Sequence, residues 1–154
     1  MVIWDKKIKM REIKTKITIN ASKEKVWNTF IKVEKYGEWN PFIESIHGNL
    51  QVGEQIEVRL TPPDGKAMTF KPTVLVFDEN KEFRWLGKLF FKGVFDGEHY
   101  FQLIDNQDGT MTFIHGEKFK GFLVGLMGSI LDNTKKGFEL MNEALKKEVE
   151  NSGV

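Results

Sequence analysis

The run from Gly121 to Glu150 constrains the fold more than any other stretch. Leu123, Met127, Ile130, Phe138, Met141 and Leu145 recur at steps of three, four or eight, while Asp132, Lys135, Lys136, Glu139, Glu143, Lys146 and Lys147 occupy the positions between. That spacing draws one apolar stripe along a helix, and the stripe needs cover. Everything from Met10 to Lys120 reads mostly as strand and turn, so the expected partner is a curved antiparallel sheet that grips the helix.

From Arg11 to Ile19 the chain alternates, with Ile13, Thr15, Ile17 and Ile19 on one side and Lys14, Lys16 and Thr18 on the other, the pattern of a half-buried strand. Ser22 then stands as an N-cap, with Glu24 in the first turn and Val26, Trp27, Phe30 and Ile31 as the apolar face of a first helix. A second short helical turn spans Val33 to Tyr36, closed by Gly37 and Pro41. Strand signals follow at 44–49, at Ile56 to Leu60, at Met68 to Phe77, around Phe83 and Trp85, at Phe95 to Ile104 and at Thr110 to Phe119. Pro62-Pro63-Asp64-Gly65 predicts a hairpin turn, and Pro72 marks a bulge or an unpaired position in its strand. The order is one strand, one or two helices, six strands and one long helix.

A chain of 154 residues, 40% of them apolar, suits one domain with one core. Residues 1–9 read as an N-terminal extension, 10–150 as the domain and 151–154 as a tail. Twenty-three basic against twenty-two acidic side chains give no net field toward a polyanion, and no nucleic-acid partner is expected. The absence of cysteine excludes disulfides and thiolate chemistry. The start, MVIWDKKIKM, has neither the apolar core of a secretory signal nor the length of a membrane span, so the expectation is a soluble cytoplasmic protein.

The element order, taken with Ala21-Ser22-Lys23-Glu24-Lys25-Val26-Trp27, Tyr36, Trp39-Asn40-Pro41-Phe42, Trp85 with Gly87, and Gly97-Glu98-His99-Tyr100-Phe101, resembles the START-like (SRPBCC) superfamily. Gly109-Thr110 leading to Glu117-Lys118-Phe119-Lys120-Gly121, and Met141-Asn142 with Leu145-Lys146, extend the resemblance, in particular to the polyketide cyclase/dehydrase branch. It implies an α+β helix-grip fold: a seven-stranded antiparallel sheet curved around the C-terminal helix, two small helices closing one end, and an elongated apolar cavity between. It is specific for fold and poor for activity.

On that implied fold the ligand-binding candidates are Trp27, Phe30, Trp39 and Phe42 near the first helices, and Phe70, Trp85, Phe95, Phe101 and Phe113 on the strands. Leu123, Met127, Ile130, Phe138 and Met141 of the last helix complete the apolar set. The polar candidates are His99, His115 and Glu117, which alternation turns to the same side of neighbouring strands. These three are also the only catalytic candidates, able to orient a carbonyl or hydroxyl or to move a proton. Their spacing matches no metal-ligand signature, and His47 is expected to be exposed. No nucleophile elbow, phosphate-binding glycine loop or His-Glu-x-x-His occurs. Gly121, Gly125 and Gly128 read as a close approach of helix to sheet or as a hinge, and Gly137 as a kink or a low point in the cavity wall.

The leading expectation is a protein that binds a small hydrophobic molecule such as a lipid, an isoprenoid or a polyketide-like aromatic, without a cofactor. One alternative is a cyclase/dehydratase-like enzyme using the same cavity, and the other is a cochaperone-like interaction module. Leu89, Phe90 and Phe91, flanked by Lys88 and Lys92, read as a gate or as a point of membrane contact. Monomer and homodimer both remain open.

Overall fold

The computed structural model describes residues 10–88, 96–121 and 128–152. Eight strands and three α-helices follow in the order β1 (Met10–Ile19), α1 (Lys23–Ile31), α2 (Tyr36–Trp39), β2 (Ile43–His47), β3 (Glu57–Leu60), β4 (Met68–Phe70), β5 (Thr73–Asp78), β6 (Glu82–Lys88), β7 (Asp96–Asp105), β8 (Met111–Lys120) and α3 (Gly128–Asn151). A 3-10 turn at Val33–Lys35 leads into α2.

The expected single seven-stranded sheet is corrected to two sheets. One has five strands in the order β1-β8-β7-β6-β5, the other three in the order β2-β3-β4, all antiparallel. The cause is Pro72, which has no N–H for a ladder and divides the expected strand Met68 to Phe77 into β4 and β5. Pairing resumes past the break: Ile56 N donates to Pro72 O at 2.9 Å, and Val74 N to Glu54 O at 2.9 Å. The chain from Gly53 to Leu60 therefore stitches the two sheets together along one line.

β1 buries Ile13, Thr15 and Ile19, half-buries Ile17, and exposes its lysines, as alternation requires. Ser22 caps α1 by accepting from Lys25 N at 3.2 Å, and Val26, Trp27 and Phe30 face inward. On α3 the buried stripe is Leu131, Gly137, Phe138, Met141, Asn142, Leu145 and Val149. Within the described part of α3 the expected stripe is one residue out at Ile130, which is 57% exposed while Leu131 is only 4%. α3 lies over β1 and β8, and its far end is pinned where Lys146 Nζ donates to Thr18 O at 2.8 Å and Glu150 Oε2 accepts from Asn20 N at 2.8 Å.

Gly137 answers a requirement of packing. A Cβ there would stand 2.5 Å from Phe42 Cδ1, so the helix surrenders propensity to admit the Phe42 ring between α3 and β2.

Candidate functional site

The register of the large sheet assembles the polar candidates. Cα partners His99↔Glu117 and Phe101↔His115 put His99 and His115 in diagonal positions on the face that α3 covers. Both rings are buried, at 1% and 0% exposure, and their Nε2 atoms meet at 2.7 Å. Trp85 stacks on His99 at 4.7 Å and Phe138 on His115 at 4.0 Å. His99 Nδ1 faces Glu117 Oε1 at 3.4 Å.

The chain of contacts runs on past the histidines. His115 Nδ1 lies 3.1 Å from Asn142 Oδ1, Asn142 Nδ2 donates to Thr15 Oγ1 at 2.8 Å, and Thr15 Oγ1 donates to the His115 carbonyl at 2.8 Å. Five side chains from β1, β7, β8 and α3 thus form one continuous string through an otherwise apolar interior. Burial, and then the neighbouring His99, push the His115 imidazole well below the ordinary histidine range, against a weaker pull upward from Asn142 and from a main-chain contact with Phe138. His115 is therefore neutral.

Much of the expected cavity lining is packed solid. Trp27, Phe30, Trp85, Phe101 and Phe113 are buried against one another, and Phe138 and Met141 are wholly covered. Open space is found at one end, between the β3–β4 hairpin, the end of β8 and the start of α3. There a pocket of about 80 Å³ is lined by Phe42, Leu60, Pro62, Met68, Phe70, Glu117, Phe119, Ile130, Leu131 and Thr134. A solvent-open groove of about 410 Å³ adjoins it and shares Pro62, Met68, Ile130 and Thr134. Glu117 is the one charged residue among the described lining of the pocket, with its side chain 15% exposed. Its carboxylate lies over Gly97, where a Cβ would collide with Oε2.

Of the predicted residues, then, Phe42, Phe70, Glu117 and Ile130 meet at the pocket, and His99 and His115 stand directly behind Glu117. Trp39 is half-buried beside Tyr36 and borders a separate surface groove with Thr29 and Glu148. Phe95, Leu123, Met127 and the Leu89-Phe90-Phe91 run lie outside the described residues, as does Gly125. His47 is exposed, as expected. Sequence reasoning passed over Thr15 and Asn142 as partners of the histidines, although Asn142 falls four residues after Phe138 on the covered face. It also passed over Phe119 and Leu131. Among the described residues no cluster of three or more His, Asp or Glu suits a metal ion, and no helix is long and apolar enough to cross a membrane.

Residues 10–150 match the model of the family described as "Polyketide cyclase / dehydrase and lipid transport". The chain belongs to that family. Solved structures share the fold of this polyketide cyclase/dehydrase family member. A START superfamily protein from Mycobacterium smegmatis superposes with a TM-score of 0.71 at 16% identity, covering 92% of this chain and 99% of that one. The ZhuI aromatase/cyclase from Streptomyces sp. R1128 gives 0.68 at 12% identity, over 94% and 99%. Norcoclaurine synthase from Thalictrum flavum, solved with dopamine and hydroxybenzaldehyde, gives 0.72 at 11% identity, over 96% and 90%. At such identities the likeness is one of fold. No curated protein sequence matches the chain.

Proposed function

We propose that this family member binds a small hydrophobic molecule in the pocket between the β3–β4 hairpin and the start of α3. The observation that carries the reading is the lining: nine residues other than Glu117, all apolar side chains or proline except Thr134, around a single carboxylate, the usual make-up of a small-molecule site. An apolar cavity of roughly 150 Å³ holds a benzene ring. The 80 Å³ here takes one end of a ligand, and the adjoining groove takes the rest. Lipid, isoprenoid and polyketide-like aromatic compounds all have such an apolar body.

The Glu117–His99 contact supports a second reading, an enzyme of the cyclase/dehydratase kind in which that pair moves a proton on the bound molecule. Binding comes first in both. Displacement of an apolar fluorescent dye by a panel of lipids and single-ring aromatics tests it. Met68→Trp, at a rim position 44% exposed and so harmless to folding, is expected to weaken binding at least tenfold. Unchanged dye binding in that variant places the ligand elsewhere.

A further inference from the structure

The string of polar groups has a direction, and the direction reaches the pocket. Thr15 Oγ1 has one hydrogen, and the His115 carbonyl, which can only accept, takes it at 2.8 Å. Thr15 must therefore accept from Asn142, at 2.8 Å, so the amide turns its nitrogen to Thr15 and its oxygen to His115. His115 then carries its hydrogen on Nδ1. In the neutral ring that leaves Nε2 as an acceptor, and the hydrogen in the 2.7 Å contact between the two rings belongs to His99 Nε2.

At the last link the string meets a carboxylate. If His99 were neutral and Glu117 ionised, the bare Nδ1 of the buried His99 ring would face Oε1 at 3.4 Å with lone pair against lone pair, and Nδ1 would be left without a hydrogen-bond donor. One proton between them removes the conflict, as imidazolium and carboxylate or as imidazole and carboxylic acid. In both forms the pair has zero net charge and the proton lies on the Oε1 side. Oε2, beside Gly97, is an acceptor either way.

We propose that the pocket selects neutral molecules that carry a hydroxyl or N–H donor on an apolar body, and that Thr15, Asn142, His115 and His99 are positioning residues that hold Glu117 as the acceptor. This rests on the pocket being a ligand site, and it names the chemistry of the ligand's inner end. A cation gains little, because the shared proton cancels the carboxylate charge; an ether or a hydrocarbon leaves Oε2 without its partner.

Binding of benzyl alcohol, benzyl methyl ether and benzylammonium to the full chain, followed by amide shift changes, tests the selection. The alcohol is expected to bind about tenfold tighter than the ether and no more weakly than the cation. Glu117→Gln keeps the preference, since its amide gives a hydrogen to His99 and turns its oxygen to the pocket, while Glu117→Leu abolishes it. Equal affinities for alcohol and ether, or a cation that wins, overturn this inference alone; no binding by any of the three overturns the pocket reading with it. A second measurement needs no ligand. Imidazole nitrogen spectra are expected to show hydrogen on His115 Nδ1 and on His99 Nε2, with the His115 pattern lost in Thr15→Val, and hydrogen on His115 Nε2 in the parent protein overturns the directional argument.

Discussion

The two ends of the interior are built from the same aromatic material and reach opposite results. At the α1 end, Phe30 stands at 4.8 Å from Phe101, 5.4 Å from Phe113, 5.6 Å from Trp27 and 6.3 Å from Phe83, mostly edge-on, and no room is left. At the other end Phe42, Phe70 and Phe119 share a pocket with Glu117. The rings at the first end are covered from above by a helix that starts on a firm cap, so they close on one another. Those at the second end are spread among the residue before β2, the end of β4 and the end of β8, and they surround a group that cannot be packed dry. One end supplies cohesion and the other chemistry, with the histidine string as the wall between them.

The largest expected effect strikes the closed end. Phe30→Ala removes a fully buried ring, and loss of such a ring costs about 3–5 kcal/mol. Urea unfolding should show that loss while the folded fraction retains pocket affinity; a pocket that fails in the folded variant would break the division between the ends.

Gly137→Ala acts on the wall. In an exposed helix the change gains about 1 kcal/mol, but here the new Cβ would meet the Phe42 ring at 2.5 and 2.7 Å, and overpacking costs about 1–3 kcal/mol. A net loss is expected in thermal unfolding, together with weaker ligand binding because Phe42 also lines the pocket. A gain in stability would mean that Phe42 yields freely.

The wall should also carry a pH signature. His115 is held neutral in the fold, its imidazole pushed below the ordinary value of 6.5. Its contribution is therefore fully present above pH 6.5 and is lost as pH falls, because the unfolded chain takes up a proton that the native one refuses. The slope is about 1.4 kcal/mol per pH unit for one proton. Glu44, Asp108 and Glu150 are held below carboxylate values of 4.5, 3.8 and 4.5 by hydrogen bonds, chiefly from Thr61, Thr110 and the Asn20 main chain, so their losses begin only at lower pH. Between pH 6.5 and 5 the urea midpoints of His115→Asn should therefore fall less steeply than those of the parent.

The sequence made some of this plain. Alternation in β1 put Thr15 on the covered side, Ser22 announced the start of α1, and parity sent His99, His115 and Glu117 to one face. It could not show that the histidines touch, because that depends on the register that pairs His99 with Glu117 rather than with His115. Asn142 entered only through the Met141-Asn142 pair of the family resemblance and became a partner only when α3 was laid over β1. Pro72 was legible as a fault in its strand, but whether a fault bends a sheet or divides it is settled by the neighbours that resume pairing beyond it. The place of the open space was the least legible. Phe30 and Phe70 look alike in a sequence, and only the elements around them decide which ring is walled in.

The smallest effect on stability is the one that separates the carboxylate from the rest of the pocket. Gly97 has ordinary strand conformation, and alanine at such a site recovers roughly 0.5–1 kcal/mol of backbone entropy. Its Cβ would collide with Glu117 Oε2, the end of a side chain free to turn, so the gain and the displacement nearly cancel. Gly97→Ala is expected to unfold within about 1 kcal/mol of the parent while the carboxylate swings away from His99. If the shared proton depends on that contact, the His99 imidazole signals shift and the alcohol-over-ether preference falls, with the apolar lining untouched. Unchanged signals in a well-folded variant would mean that Glu117 holds its place by other means and that the boundary between the cohesive end and the chemical end lies deeper than the His99 ring.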